Sequence, residues 1–201
     1  MIDLFPVRLY KNSIYPTAEE NENTAQLLKN LFSKCQGNNK FPGESGVSTG
    51  ELGLNLHKHE ELNWLVKQLN NHVEHYWKYG LFYEPRQIEM VDCWANLHKK
   101  NDSTAEHCHM GGCYGENHVS GVYYFRKPKD HGHIEFCNPL DSILRMTPAA
   151  IPNIGIETIG SEFPAKQYDV ILFPSWLKHR VKPHPVDEIR IAISFNYQGK
   201  K

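Results

Sequence analysis

The chain has almost no excess of either charge, few cysteines and no long apolar run, and each shortage removes a class of function. Its 22 Lys and Arg stand against 23 Asp and Glu among 201 residues, a formal net charge of −1. A balance so near zero offers no basic footprint for nucleic acid and no polybasic anchor for an anionic membrane. No stretch approaches the roughly 20 apolar residues that cross a bilayer, and mean hydropathy is −0.57. Met1 to Pro6 has neither the basic nor the apolar region of an export signal, which predicts that the chain is not exported. The five cysteines, at 35, 93, 108, 113 and 137, are odd in number and irregularly spaced, which suits reduced thiols in a cytoplasm better than a disulfide framework. Internal repeats and low-complexity segments are absent.

What is present supports a packed core: hydrophobic residues make up 40% and aromatics 11%. The length predicts one domain over residues 1–201, with a helical part at 1–80 and a β-rich part at 81–201. Leu4 to Tyr10 reads as an edge strand. Thr17, followed by Glu19 and Glu20, marks a helix start, and Ala25, Leu28, Leu31 and Phe32 recur at helical spacing, predicting a helix over about 18–34. A second helix over about 59–79 follows from Leu62, Leu65, Val66, Leu69, Val73, Tyr76 and Trp77, ending at Gly80. Between them, residues 36–55 read as a loop long enough to cover something. Beyond Gly80, strand patterns occupy 88–98, 119–125, 133–136, 169–173 and 190–197, and 128–132 reads as a hairpin turn. The expected class is α+β, a barrel or jelly roll with the helices packed on one face of the sheet.

Twelve histidines in 201 residues is a high count, and they fall into clusters of different promise. His57 and His59 suit loop and cap positions. His131 and His133 suit a turn and a strand start. His107 and His109 differ, because residues two apart on a strand project to one side and can present two imidazoles to one point. His179 follows a buried strand that breaks at Pro174, a setting that can bring a third imidazole from a distant strand. Three nitrogen ligands with open positions suit Fe(II), and also Zn, Ni, Cu or Mn. A structural zinc site using Cys108 and Cys113 is a weaker alternative, since paired Cys-x-x-Cys knuckles are missing. Nucleophilic catalysis by either thiol lacks an identifiable base.

In order along the chain, several segments resemble the 2-oxoglutarate/Fe(II) oxygenases found in bacteria and their phages. They are Leu4-Phe5-Pro6, Ser48-Thr-Gly-Glu-Leu-Gly, Trp94-Ala-Asn96, His107-Cys-His109, Ser120-Gly-Val-Tyr-Tyr124, Asn138-Pro139, Leu172-Phe-Pro-Ser-Trp-Leu-Lys-His179 and Arg190-Ile-Ala-Ile-Ser-Phe-Asn196. The resemblance implies a double-stranded β-helix that holds Fe(II) through His107, His109 and His179, with 2-oxoglutarate as cosubstrate. It further implies that Arg190, eleven residues after the distal histidine, grips the far carboxylate of 2-oxoglutarate by a bidentate pair. Tyr123, Asn96, Ser194 and Asn196 become candidates for further contacts to 2-oxoglutarate or to the ligands. Alternation allows only one of Tyr123 and Tyr124 to face the barrel, and aromatic core packing is the alternative for both.

Two departures from the wider superfamily stand out. His109 occupies the place of its acidic ligand, and the segment 110–117 is long, which leaves His118 as a rival ligand. The implied function is oxygenation, with hydroxylation of an unidentified small-molecule or peptide substrate by O2 and release of succinate and CO2. A three-histidine cupin enzyme without a keto acid and a non-catalytic jelly-roll binding module are the alternatives. No nucleic acid or membrane partner is expected; a homodimer is neither required nor excluded.

Overall fold

The computed structural model describes residues 6–37, 45–110, 116–144, 146 and 160–200. Among the described residues, ten strands form two antiparallel sheets, with two long helices outside them. The strands are β1 (Tyr10–Ser13), β2 (Val47–Ser48), β3 (Ile88–His98), β4 (Thr104–His107), β5 (Val119–Arg126), β6 (Ile134–Cys137), β7 (Gly160–Phe163), β8 (Asp169–Pro174), β9 (His179–Val181) and β10 (Arg190–Gly199). The larger sheet runs β1-β8-β5-β10-β3-β2 and the smaller β4-β9-β6-β7. Two facing sheets with the chain passing between them make the double-stranded β-helix expected above. Among the described residues no helix is long and apolar enough to cross a membrane.

Helix α1 (Ala18–Phe32) starts in a capping box: Glu20 N donates to Thr17 Oγ1 at 3.2 Å, and Thr17 N donates to Glu20 Oε2 at 2.7 Å. Helix α2 (Asn63–His75) follows two short 3-10 turns and ends in a π turn, Tyr76–Gly80, so it is shorter than its apolar period suggested. The apolar faces of both helices, Leu28 and Leu31 with Leu65, Leu69 and Val73, cover one side of the larger sheet. Each such side chain, once fully buried, contributes about 1.5–3 kcal/mol. Tyr197 Oη donates to Asn70 Oδ1 at 2.7 Å, pinning α2 to β10.

Alternation divides the larger sheet cleanly. Val119, Tyr123 and Phe125 of β5, Val170 and Leu172 of β8, and Ile193 and Phe195 of β10 face the helices. Val122, Tyr124, Ile171, Phe173 and Ala192 face the space between the sheets. Gly121 falls on the helix side, where a Cβ would meet the Phe195 ring at 2.4 Å, so the close packing there needs a residue without one.

Three expectations are corrected. The N-terminal edge strand is Tyr10–Ser13, paired with β8; Pro6 to Leu9 lie outside it, and Leu4 and Phe5 lie outside the described residues. Residues 128–132 form no hairpin, because β5 and β6 belong to different sheets and this corner carries the chain from one to the other. The sequence reading also missed β2, β4, β7 and β9, strands of two to four residues too short to show a period. Cys113, and most of the 110–117 segment with it, lies outside the described residues.

Candidate metal centre and cosubstrate pocket

Strands β4 and β9 pair so that His107 sits directly across from His179. The turn after Pro174, closed by Leu177 N donating to Pro174 O at 2.9 Å, takes the chain out of the larger sheet and into β9. His109 lies two residues beyond His107, past the end of β4, so strand alternation does not place it. Its position comes from two hydrogen bonds: His109 N donates to Ser175 O at 2.8 Å, and its Nδ1 meets Asn196 Oδ1 at 2.7 Å. Ligand atoms of His107, His109 and His179 all lie within 4.8 Å of one another. Among the described residues no other trio of His, Cys, Asp or Glu converges in this way.

The tautomers follow from the partners. A carbonyl oxygen only accepts, so His107 Nδ1 donates to Ala105 O at 2.8 Å and His179 Nδ1 donates to Leu177 O at 2.9 Å. Asn196 turns its amide nitrogen toward Asp92 Oδ2, at 3.4 Å, which leaves its carbonyl oxygen to accept from His109 Nδ1 and from Ser120 Oγ, at 2.8 Å. All three rings thus carry their proton on Nδ1 and point a bare Nε2 inward. The Nε2 atoms of His107 and His109 are 3.0 Å apart. Two lone pairs at that distance repel unless a positive charge lies between them.

A proton is a poor candidate for that charge. Burial, and secondarily the His107 ring, pushes His109 down to about 4. Burial, then the other two imidazoles, holds His179 well below the usual histidine range, and burial lowers His107. Neutral imidazoles with fixed, converging lone pairs are the donor set that a divalent transition metal requires.

A cavity of about 410 Å³ opens beside the three histidines, between the sheets, within the size range of small-molecule sites. Its long wall is the inner face of β3 and β10, which pair in register: Asp92 with Asn196, Trp94 with Ser194, Asn96 with Ala192, and His98 with Arg190. Asn96, Ser194 and Arg190 all line it. Residues 48–55 form a second wall, fixed to β3 by Ala95 N donating to Thr49 Oγ1 at 2.9 Å. Within the segment 36–55 read as a loop, Val47–Ser48 is strand β2 and Thr49–Leu52 a 3-10 turn, and this part lines the cavity.

Arg190 is 3% exposed. Its Nε donates to Gly132 O at 3.0 Å and its guanidinium lies 5.2 Å from the centre of the Tyr124 ring. Gly132 has φ +67°, and a Cβ there would stand 2.9 Å from Arg190 Cδ, so the corner needs glycine on both counts. The surroundings of Arg190 are poor in negative charge. Burial, then Arg190 itself, pushes the buried Lys127 ammonium down to about 8, and burial followed by Arg190 holds His98 at about 3. Among the described residues no carboxylate pairs with Arg190. A buried guanidinium in this setting is suited to pair with an anion.

Not every candidate reaches the cavity. Tyr123 faces the helices and donates from Oη to Ile14 O at 2.9 Å; Tyr124 is the tyrosine that looks inward, because residues 120, 122 and 124 share the barrel face. Asn196 acts on His109 rather than lining the cavity. His118 packs edge-on against Trp77, ring centres 5.5 Å apart, and accepts at Nδ1 from Gly199 N, apart from the other three histidines. His133 Nδ1 accepts from Ala165 N at 3.2 Å, a structural role. Asp92, Trp94 and Thr104 line the cavity and were missed. The period of two that joins Asn96 to Trp94 and Asp92 on β3 would have found Asp92 and Trp94.

A family model described as "Putative 2OG-Fe(II) oxygenase" matches residues 92–196, just over half of the chain. No curated protein matches it. Among solved structures it resembles a prolyl-4-hydroxylase of Pseudomonas putida, at 11% identity and a TM-score of 0.64 over 97% of this chain and 94% of that one. HygX of Streptomyces hygroscopicus, crystallised with nickel and 2-oxoglutarate, is 12% identical, with a TM-score of 0.61 over 96% and 83%. A Trichoplax adhaerens prolyl hydroxylase in complex with a hypoxia inducible factor peptide is 14% identical, with a TM-score of 0.64 over 96% and 84%. At such identities these three show the fold alone. The family match, which spans all three converging histidines and Arg190, shows that the chain belongs to the 2OG-Fe(II) oxygenase family.

Proposed function

We propose that the protein uses Fe(II) and 2-oxoglutarate to hydroxylate a small-molecule or peptide substrate, releasing succinate and CO2. The observation that carries this reading is the convergence of three bare Nε2 atoms in one cavity with a buried, anion-seeking guanidinium. His107, His109 and His179 would hold the metal. Arg190 would hold the far carboxylate of the keto acid, with Asn96 and Ser194 along the wall between. When bound, metal and keto acid together supply the activation of O2.

The chain's own residues supply position, charge and dryness. Ala105 O, Leu177 O and Asn196 Oδ1 keep the imidazole protons on Nδ1, so that every Nε2 stays available. Phe173 packs its ring 4.7 Å from His179 and, with Val122 and Ile134, keeps water from the inner end of the cavity. Three neutral imidazoles leave the full charge of a divalent metal unbalanced on the protein side, and a dianionic keto acid would balance it.

Anaerobic loading with Fe(II) and then 2-oxoglutarate tests the proposal through the visible metal-to-ligand charge-transfer band. The wild type should show the band, and His179→Ala should lose both band and stoichiometric iron. Arg190→Ala should keep its iron but need about 30- to several-thousand-fold more 2-oxoglutarate for half-saturation, the equivalent of about 2–5 kcal/mol for an unpaired buried charge. Wild-type protein that binds iron without ever showing the band would favour a three-histidine enzyme that takes no keto acid.

A further inference from the structure

Strand β4 carries an irregularity that turns an extra side chain into the cavity. Thr104 stands across from Val181 and His107 across from His179, so three steps along β4 match two along β9. Regular alternation would put Thr104 and His107 on opposite sides. The bulge returns them to one side, and both line the cavity together with Val181 and His179. Ala105, within the bulge, offers the carbonyl that accepts the Nδ1 proton of His107. One irregularity thus fixes an imidazole and re-aims a hydroxyl.

Behind Thr104 lies His98. It is the cross-strand neighbour of Arg190, it is 2% exposed, and its Nε2 is 3.3 Å from Thr104 Oγ1. Gly46, at φ +93°, leaves room for the ring, since a Cβ there would stand 2.8 Å from His98 Cδ2. His98 Nδ1 is buried and has no hydrogen-bond partner among the described residues. Burial, then Arg190 and His184, hold the ring neutral, so it has one N–H and one lone pair. The two tautomers differ in what is orphaned at Nδ1, an N–H or only a lone pair. Buried N–H groups are left unpaired more rarely than acceptors, so the proton belongs on Nε2, which donates to Thr104 Oγ1. The hydroxyl hydrogen of Thr104 is then left for an acceptor in the cavity that Arg190 also lines.

We infer that Thr104 donates a hydrogen bond to the far carboxylate of the keto acid beside Arg190, and that His98 is the positioning residue that turns the hydroxyl. The inference rests on the oxygenase reading of this cavity. It makes the cosubstrate end a joint product of both sheets, with Arg190 and His98 from the larger and Thr104 from the smaller. The guanidinium supplies charge, and the oriented hydroxyl supplies direction.

Two measurements test this. Proton–nitrogen NMR of metal-free protein reads the tautomer: His98 should carry its proton on Nε2, and a proton on Nδ1 would overturn the relay. The second is half-saturation of the visible band, in Fe(II)-loaded protein without O2, by 2-oxoglutarate and by 2-oxovalerate. The latter offers the metal the same keto and carboxylate groups but ends in a methyl group. Thr104→Val should raise the half-saturating 2-oxoglutarate about 10- to 100-fold, the range for a hydrogen bond to a charged group, and leave that of 2-oxovalerate where it was. Thr104→Ser, which keeps the hydroxyl, should stay close to wild type. His98→Phe should also weaken 2-oxoglutarate selectively, and should add little once Thr104→Val is present, because the two act through one hydrogen bond. If His98→Phe is too unstable to titrate, Thr104→Val and the NMR spectrum decide. Equal shifts for both keto acids, or none for either, overturn the inference. A wild type that binds iron but shows no band fails the oxygenase reading itself, a result distinct from a wild type with the band and an unaffected Thr104→Val.

Discussion

Asn196 decides the geometry of His109. Its single carbonyl oxygen accepts from His109 Nδ1 and Ser120 Oγ while its amide points at Asp92, so the orientation of the imidazole depends on a side chain from the opposite sheet. Removing such an outer partner commonly costs 10- to 100-fold in metal affinity. Asn196→Ala should show a loss of that size in anaerobic iron titrations, with helix content by circular dichroism unchanged. Tyr123 gives the opposite expectation. Its hydroxyl serves Ile14 O on the helix side, so Tyr123→Phe should lower unfolding stability by about 1 kcal/mol and leave the 2-oxoglutarate half-saturation where it was.

The element that links fold to pocket is the corner between β5 and β6. It crosses from one sheet to the other, and in crossing it places Gly132 O under Arg190 Nε at 3.0 Å. Gly132→Ala would force a residue with a Cβ into φ +67° and press it on the arginine stem. The expected result is about a tenfold rise in the 2-oxoglutarate needed for half-saturation, or about 1.4 kcal/mol, with iron content retained. An equal loss of iron would mean that the corner supports the whole barrel end and not Arg190 alone. Strands β4 and β9, four and three residues long, carry two of the three converging histidines. Their pairing places these side chains more tightly than any loop could.

Across the whole molecule, buried neutral histidines make stability depend on pH. His98 at about 3 and His109 at about 4, with His107 and His179 also lowered, stay unprotonated in the fold when the unfolded chain takes up protons near 6.5. Below that value the unfolded state binds more protons, so stability is complete above about pH 7 and falls as the pH drops toward the folded values. Each histidine affected contributes up to about 1.4 kcal/mol per pH unit. Urea unfolding of metal-free protein should give a constant midpoint from pH 8 to 7 and a declining one from 6.5 to 4. A midpoint unchanged between pH 7 and 5 would contradict neutral burial of these rings.

Much of this molecule was legible from periods in the chain. The helical spacing of Leu28 with Leu31, and of Leu65 with Leu69 and Val73, determined both long helices and the face each one buries. Arg190 and Ser194 were pointed to by the resemblance, and alternation along β10 puts them on one face. Period is local, set by the backbone geometry of a few consecutive residues, so one sequence suffices to read it. The remaining features are not local. Alternation separates Tyr123 from Tyr124 but does not say which face the helices will cover. That choice fell to the sheet side carrying Phe195 and Leu172 against the helices, leaving Tyr124 beside Arg190. Short strands such as β4 and β9 show no period at all. His107 meets His179, and His109 meets Asn196, only because the two sheets close on each other, and that closure is driven by apolar burial summed over the whole chain.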